Sequence, residues 1–384
     1  MHLNLQEFNS HNPLVIIQPT PFCNLDCQYC YLPNRNLKQQ MSLDVLERIF
    51  DEVLKSSLPD PIELVWHAGE PLAVSKDFYR KAFQILNQIN LKYNRKLLHG
   101  IQTNATLIDE EWINLFQENQ IHIGVSIDGP DFIHDRYRVT HTGYGTHKKT
   151  MRGIKLLQKN QIPFNTISVL TDFSLDYPYE MFAFFVENEI QRVAFNIDEI
   201  SGENLSSSYE LEQAIYKYKK FIHKFAELVD SNNGIPEVRE FVQITSSIKN
   251  NPHGKGILIN STNIPFHVIT FDYQGNYTTF CPELLATKSS KFDNFIMGNI
   301  LQNEINSISE NSIFKAVNSE IQTGLKACRE SCEYWYFCGG GSPSNKFSET
   351  GRFDVTETLH CRVHRKALVD SILDYLESKK PVFR

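Results

Sequence analysis

Six apolar, β-rich runs fall in the first two hundred residues: LVIIQPT, IELVWHAG, LLHGIQTN, IHIGVSIDG, FNTISVL and RVAFNID. A helical pattern separates each run from the next, at Ser42 to Lys55, Lys76 to Tyr93, Asp109 to Asn119, Thr146 to Asn160 and Asp176 to Asn188. No other feature narrows the fold as much. A helix between two strands carries the chain back across the sheet, so the strands it joins run parallel. Ser42 and Asp109 stand where helix N-caps belong. The expected fold class is therefore α/β, built of β/α units on a parallel sheet. Most of the runs end in polar or glycine-containing residues, and in such folds the chemistry gathers at the C-terminal ends of strands.

After the sixth run the pattern changes. SGENLSSS, residues 201–208, reads as a linker, and a long helix is expected from about Tyr209 to Ser231. From about residue 235 the chain becomes turn-rich and cysteine-rich, which suggests a domain boundary. The expected organisation is residues 1–205, a helical linker region 206–258 and a C-terminal domain 259–384. At 41% hydrophobic residues the chain can bury a sizeable core. A net charge of -7 and a pI near 6.0 argue against a general nucleic-acid binder. No run approaches the roughly 18 apolar residues of a membrane span, and the start, MHLNLQEFNSHNP, lacks the regions of a signal peptide. A cytoplasmic setting is expected, where thiols stay reduced. Eight cysteines there point to metal or redox chemistry. They are unevenly spread: three at 23 to 30, then none until 281, 328, 332, 338 and 361.

Cys23, Cys27 and Cys30 sit in PFCNLDCQYCYLP just after the first strand, with the spacing C-x3-C-x2-C. Structural zinc wants four closed ligands, and no fourth cysteine or histidine lies nearby to close the set. A [4Fe–4S] cluster on three thiolates instead leaves one iron open to a small molecule. With Tyr29 before the last cysteine, this motif resembles that of radical S-adenosylmethionine (SAM) enzymes. WHAGEPL (66–72) resembles their second-strand motif, QTNATL (102–107) the third, and VSIDGP followed by HDRYR (125–138) the fourth. The resemblance implies a partial (β/α)6 TIM-like barrel over residues 14–200. It also implies SAM contacts from Tyr29, Gly69, Glu70, Asn104, Ser126, Asp128 and Arg138. Glu70 would stand near the SAM ammonium, and Ser126 and Arg138 would hold its carboxylate, as charge-assisted contacts. Taken singly, His67 reads as a satisfied core histidine and Asp128-Gly129 as a common turn.

The second group begins in CRESCEYWYFCGGGSPSNK, with Cys328, Cys332 and Cys338, and Cys361 follows in LHCRVHRKAL. Four thiolates can ligate a second [4Fe–4S] cluster or close a tetrahedral zinc site, and spacing does not choose between them. This region resembles the cysteine-rich SPASM extension of radical SAM peptide-modifying enzymes, over about residues 260–370, whose complete form carries two auxiliary clusters. The run departs from that pattern. Its first gap has an extra residue, Ser342 replaces its last cysteine, and upstream only Cys281 remains of the other cluster's ligands. The resemblance thus implies one auxiliary [4Fe–4S] cluster, on Cys328, Cys332, Cys338 and Cys361. Cys281 is left over, either a free, partly buried thiol, or an unusual ligand or a residue of the substrate site. Gly339 to Gly341 would let the chain pass close to the cluster, and the aromatic run at 334–337 would pack around it or line a substrate site.

Within that group the sequence is most similar to cyclophane-forming peptide maturases (GrrM/OscB-like). That implies a precursor peptide as partner, a reductant such as flavodoxin or ferredoxin, and no nucleic acid or membrane. A 5′-deoxyadenosyl radical would take hydrogen from a β-carbon, and the resulting carbon radical would join a neighbouring aromatic ring. The ring must then lose a proton and an electron, so a base is needed, and Asp198 and Glu283 are the candidates. With the first strand near residue 14, no separate leader-binding domain is expected. The alternatives are formylglycine formation of the anaerobic sulfatase-maturase type, thioether formation, and a zinc-binding scaffold without enzymatic activity. Nothing in the sequence fixes the oligomeric state.

Overall fold

The computed structural model describes residues 12–210, 212–250 and 260–379. Strands β1 (Leu14–Ile17), β2 (Ile62–Trp66), β3 (Leu97–Thr103), β4 (Ile121–Ser126), β5 (Phe164–Leu170) and β6 (Arg192–Ile197) pair in chain order, all parallel. The helices between them are α1 (Leu43–Lys55), α2 (Lys76–Tyr93), α3 (Glu110–Glu118), α4 (Asp131–Tyr137), α5 (His147–Lys159) and α6 (Pro178–Glu187). Ser42 Oγ accepts from Val45 N and Asp109 from Trp112 N, so both are the N-caps their positions imply. Helix α4 was not expected; it lies within the VSIDGP–HDRYR segment.

Along β2 the residues alternate between two faces. Ile62, Leu64 and Trp66 are buried, and Trp66 meets Phe50, Tyr79 and Phe83 edge-on at 6.5, 5.0 and 6.4 Å between ring centres. Glu63 and Val65 turn the other way and line a cavity within the curl of the sheet, with Gly100, Gly124 and Asn165. The apolar face thus glues the strands to the helices, and the opposite face is left for chemistry.

One sheet runs across both expected domain boundaries. The sheet has ten strands in the order β10-β9-β8-β1-β2-β3-β4-β5-β6-β7. β7 (Glu237–Val238), inside the supposed linker region, adds in parallel to β6. β8 (Val268–Phe271) adds in parallel to β1, and β9 (Asn276–Thr279) and β10 (Gly298–Asn299) follow antiparallel. β1 and β6 do not pair, so the barrel stays open. The long helix α7 (Glu212–Ser231) buries Tyr218, Phe221 and Phe225 in the main core. It packs against both α6 and α13 (Leu368–Ser378). The interval 206–258 is thus part of the barrel wall as far as it is described.

Between α8 (Arg239–Asn250) and α13 lie α9 (Ser312–Ser331), α10 (Trp335–Cys338), α11 (Pro343–Thr350) and α12 (Leu359–Cys361), which runs through a π-helical turn (Arg362–Ala367) into α13. Phe292, Phe295, Phe347 and Phe353 form an aromatic cluster in this extension, continuous with the main core.

Candidate active site

A cleft of about 290 Å³ opens at the C-terminal ends of the barrel strands. Cys23, Cys27 and Cys30 all line it, with Tyr29, Gly69, Glu70, Asn104, Ser126, Arg138, Asp198 and Glu283. Eleven of the twelve residues expected from sequence at this site therefore meet in one place, the exception being Asp128. The cysteine loop is held by its backbone. Asp26 N donates to Val139 O at 2.7 Å, Gln28 N to Tyr137 O at 3.0 Å and Cys23 N to Arg35 O at 3.0 Å. Arg35, which the sequence did not single out, reaches back with bonds to Cys30 O, Leu32 O and the Asp26 carboxylate. Asn104 ties the loop to β3, donating to Asn24 Oδ1 at 2.9 Å and lying 3.9 Å from Cys23 Sγ.

Gly69 is required by its surroundings. Its φ is +57°, and a Cβ there would lie 2.5 Å from Phe22 O and 2.6 Å from Thr20 O. This close approach lets Glu70 N donate to Phe22 O at 2.8 Å, joining the cysteine loop to the end of β2. The Glu70 side chain is held by three bonds of its own. Its carboxylate accepts from Leu72 N (2.9 Å), Thr103 Oγ1 (2.7 Å) and Asn104 N (2.8 Å), and the residue is 1% exposed. A carboxylate has about four acceptor positions, and three are taken here. Glu70 is thus foremost a clasp between the ends of β2 and β3. Burial pushes its pKa up to about 7 despite those three donors.

Asp128 is likewise turned away from the cleft. It receives Arg138 Nε at 2.9 Å and Nη2 at 3.0 Å, Val169 N at 2.9 Å, and the Tyr29 hydroxyl. It is neither a bare turn residue nor a direct wall of the site; it fixes Arg138 and Tyr29, which are. Arg138 keeps further donors in its fork and is 7% exposed. Ser126 Oγ accepts from Gln102 at 2.9 Å. His67 is not the satisfied core histidine it resembled: Nδ1 has no partner, the ring lines the cleft, and burial lowers its pKa to about 4.

The two base candidates differ. Asp198 accepts from Ser208 N and Oγ, both at 3.0 Å, and burial raises its pKa to about 6. The supposed linker therefore supplies part of the site. Burial also raises Glu283, with Ser344 as a bonding partner. Sequence reasoning missed Glu199, which lines the cleft beside Asp198. It accepts from Asn345 Nδ2 at 2.6 Å and lies 3.4 Å from His360 Nε2. Burial, then the nearby Glu283 carboxylate, raises its pKa to about 7. Past the end of β6 the strict alternation of a strand lapses, so two consecutive acids can face one cleft, and IDE was the available signal. Tyr31 was missed too; its hydroxyl lacks a partner and its ring lines the cleft.

Cys328, Cys332, Cys338 and Cys361 line a second, separate cavity with Tyr334, Trp335, Gly340, Gly341, Lys346, His360 and Arg365. The glycines at 339 to 341 have φ of +63°, +98° and +72°, and Asn263 anchors the turn through Gly339 O and Gly341 O. Tyr334 and Trp335 pack at the cavity, as one reading of the aromatic run had it. Cys281 is fully buried, not partly, and burial raises its pKa to about 12. Its Sγ lies 3.5 Å from Ser342 Oγ, so the leftover cysteine and the serine in place of a cysteine are neighbours.

Both thiol sets suit iron–sulfur clusters. Among the described residues no group of three or more His, Cys, Asp or Glu side chains is placed to hold a single metal ion. The four thiols ring a cavity without closing the tight tetrahedron that zinc takes. Burial first, and then neighbouring thiols and carboxylates, drive the Cys23, Cys27 and Cys361 thiols upward, and the positive charge of a metal centre is what makes buried thiolates favourable.

The description Radical SAM superfamily matches residues 17–185. An uncharacterized protein of Synechocystis sp. is 42% identical over 368 residues, 95% of this chain and 92% of its own length. The chain belongs to the radical SAM superfamily. A serine-type anaerobic sulfatase-maturating enzyme of Bacteroides thetaiotaomicron is 29% identical over 361 residues, 88% of this chain and 84% of that one. Native anSMEcpe, solved with bound AdoMet and Cp18Cys peptide, superposes with a TM-score of 0.78 at 22% identity, covering 95% of this chain and 98% of that chain. At that identity the likeness is one of fold. The chain is thus a radical SAM enzyme with the α/β fold of this group, and its cofactors are SAM and [4Fe–4S] clusters. Among the described residues no helix is long and apolar enough to cross a membrane.

Proposed function

We propose that this enzyme modifies a ribosomally made peptide, joining an aromatic ring to the β-carbon of a nearby residue. Cys23, Cys27 and Cys30 hold the cluster that binds SAM, and Cys328, Cys332, Cys338 and Cys361 hold one auxiliary [4Fe–4S] cluster. Bound there, the first cluster and SAM supply a 5′-deoxyadenosyl radical, and the second supplies an electron acceptor. The protein's own part is to orient and to shield. Arg138, steadied by Asp128, offers free donors to the SAM carboxylate. Gly69 and Glu70 close the strand ends around the ligand and keep water out. Asp198, Glu199 and Glu283 bring carboxylates to the cleft wall, and burial raises the proton affinity of each, to a pKa of about 6 for Asp198 and about 7 for Glu199. A peptide substrate agrees with the peptide named in the similar anSMEcpe structure. A reductant such as flavodoxin or ferredoxin would supply the first electron.

The observation that carries the crosslinking reading is the Cys281–Ser342 pair. Where the resemblance places ligands for a further auxiliary cluster, one thiol faces one hydroxyl at 3.5 Å. The second reading, formylglycine formation on a sulfatase-type peptide, draws on the similarity to the Bacteroides enzyme over most of both chains. Mass spectrometry separates them. The chain is co-expressed anaerobically with the short reading frame beside its gene, and the peptide is digested and fragmented. A loss of two hydrogens per site, with fragmentation blocked between an aromatic residue and a neighbour, supports crosslinking. An aldehyde at one serine or cysteine moves the function to formylglycine formation.

A further inference from the structure

Lys346, on α11, is 6% exposed, and its Nζ lies 3.7 Å from Cys328 Sγ. Among the described residues no carboxylate pairs with it; the thiol is its one side-chain partner. A buried ammonium without an anion is strongly unfavourable, so this placement makes sense only against a negative group. The adjacent Lys366 shows the ordinary arrangement, paired with Glu357 and lying over the Tyr334 ring. The fold also makes room for Lys346. Gly324 stands one helical turn before Cys328 on the same face of α9, and a Cβ there would lie 3.2 Å from Nζ and 2.4 Å from Phe353 O. Arg365 lines the same cavity, with a buried Nε that has no partner.

We propose that Lys346 is a positioning residue for the auxiliary cluster, its fixed charge raising that cluster's reduction potential so that it accepts the electron the substrate must lose. This rests on the auxiliary-cluster reading above. The electron balance is simple. The peptide radical, joined to the ring, gives up one electron to the cluster and one proton to a base. The cluster becomes one unit more negative, and a cation within a few ångströms favours the more negative state.

The test uses the full chain, reconstituted anaerobically, as wild type, Lys346→Met and Lys346→Arg. Iron, sulfide and zinc are counted first, and the midpoint potential of each cluster is then followed by electron paramagnetic resonance. Lys346→Met should make the auxiliary cluster harder to reduce by about tenfold, which is about 59 mV for one electron. The SAM-binding cluster should not move, and Lys346→Arg should stay near wild type. Equal potentials in wild type and Lys346→Met overturn the proposal. If Lys346→Met fails to retain the cluster, retention in Lys346→Arg supports a requirement for charge, and loss in both reduces Lys346 to packing and overturns it. Zinc in the four-cysteine cavity of the wild type removes the cluster reading itself, which the metal count identifies before any potential is measured.

Discussion

The two cysteine sites of this enzyme are built in opposite ways. The first is a loop on the barrel rim, whose three thiols open into a cleft shared with the ends of six strands. Asn104 and the segment 137–140 tie it to two distant parts of the fold, and Arg35 braces it locally. The second is enclosed by its own helices and lined mostly by residues 328–365, with four thiols and a buried lysine. An incomplete ligand set in an open cleft suits binding and chemistry. A complete set in a closed, charge-compensated cavity suits holding or passing electrons. Glu199 touches both worlds, facing the cleft while bonding Asn345 and approaching His360 of the extension.

That contrast can be broken most forcefully by removing ligands. Changing Cys23, Cys27 and Cys30 together to alanine should reduce SAM cleavage to background and leave the second cluster's spectrum intact. Cys361→Ala should do the reverse. Iron should fall by about half, if each site holds one [4Fe–4S] cluster, and reductant-driven SAM cleavage should continue while peptide modification is lost. Unchanged iron in Cys361→Ala would take that residue out of the ligand set.

A smaller effect is expected at the ion pair behind the open site. Asp128→Ala leaves Arg138 buried and unpaired, a change worth about 3–5 kcal/mol of stability, so thermal unfolding should drop sharply and SAM affinity should weaken. Asp128 variants with wild-type affinity would show that Arg138 does not need its partner.

Next is pH. Glu70 has a folded pKa raised by burial to about 7 from an ordinary 4.5. The sign follows: its contribution favours the fold below pH 4.5 and is lost as pH rises through about 7. Glu70→Gln should therefore flatten the fall in apo-protein stability across that window by on the order of 3 kcal/mol. An identical pH slope in variant and wild type would refute the shift. The smallest effect is Gly69→Ala, where left-handed backbone and the approach to Phe22 O together should cost about 1–3 kcal/mol. A Gly69→Ala protein with unchanged melting would mean that the rim loop yields to a Cβ beside Phe22 O.

Legibility followed the range of the forces involved. Helix α2 and strand β5 have the limits their patterns implied, because amphipathic period and capping are local. The parallel pairing of β8 with β1 was hidden, since it joins residues 268–271 to residues 14–17 with no local signal. That pairing also carries one sheet across the expected boundary at 259. Both thiol sets were readable because cysteine spacing is a chemical signature. Lys346 was not, because a lysine among polar residues reads as solvated, and only tertiary packing buries it. Glu70 and Asp128 were named by motif, but the bonds that hold them, to the end of β3 and to Arg138 and Tyr29, join distant segments and leave no local signal.

The most direct test of the two-site account is a count of iron, acid-labile sulfide and zinc in anaerobically reconstituted protein, with Mössbauer spectra of the wild type and Cys361→Ala. About eight irons and eight sulfides per chain, falling to about four of each in the variant with the SAM-responsive signal kept, is the predicted result. Four irons with one zinc in the wild type, or a variant that loses the SAM-responsive signal, would contradict it.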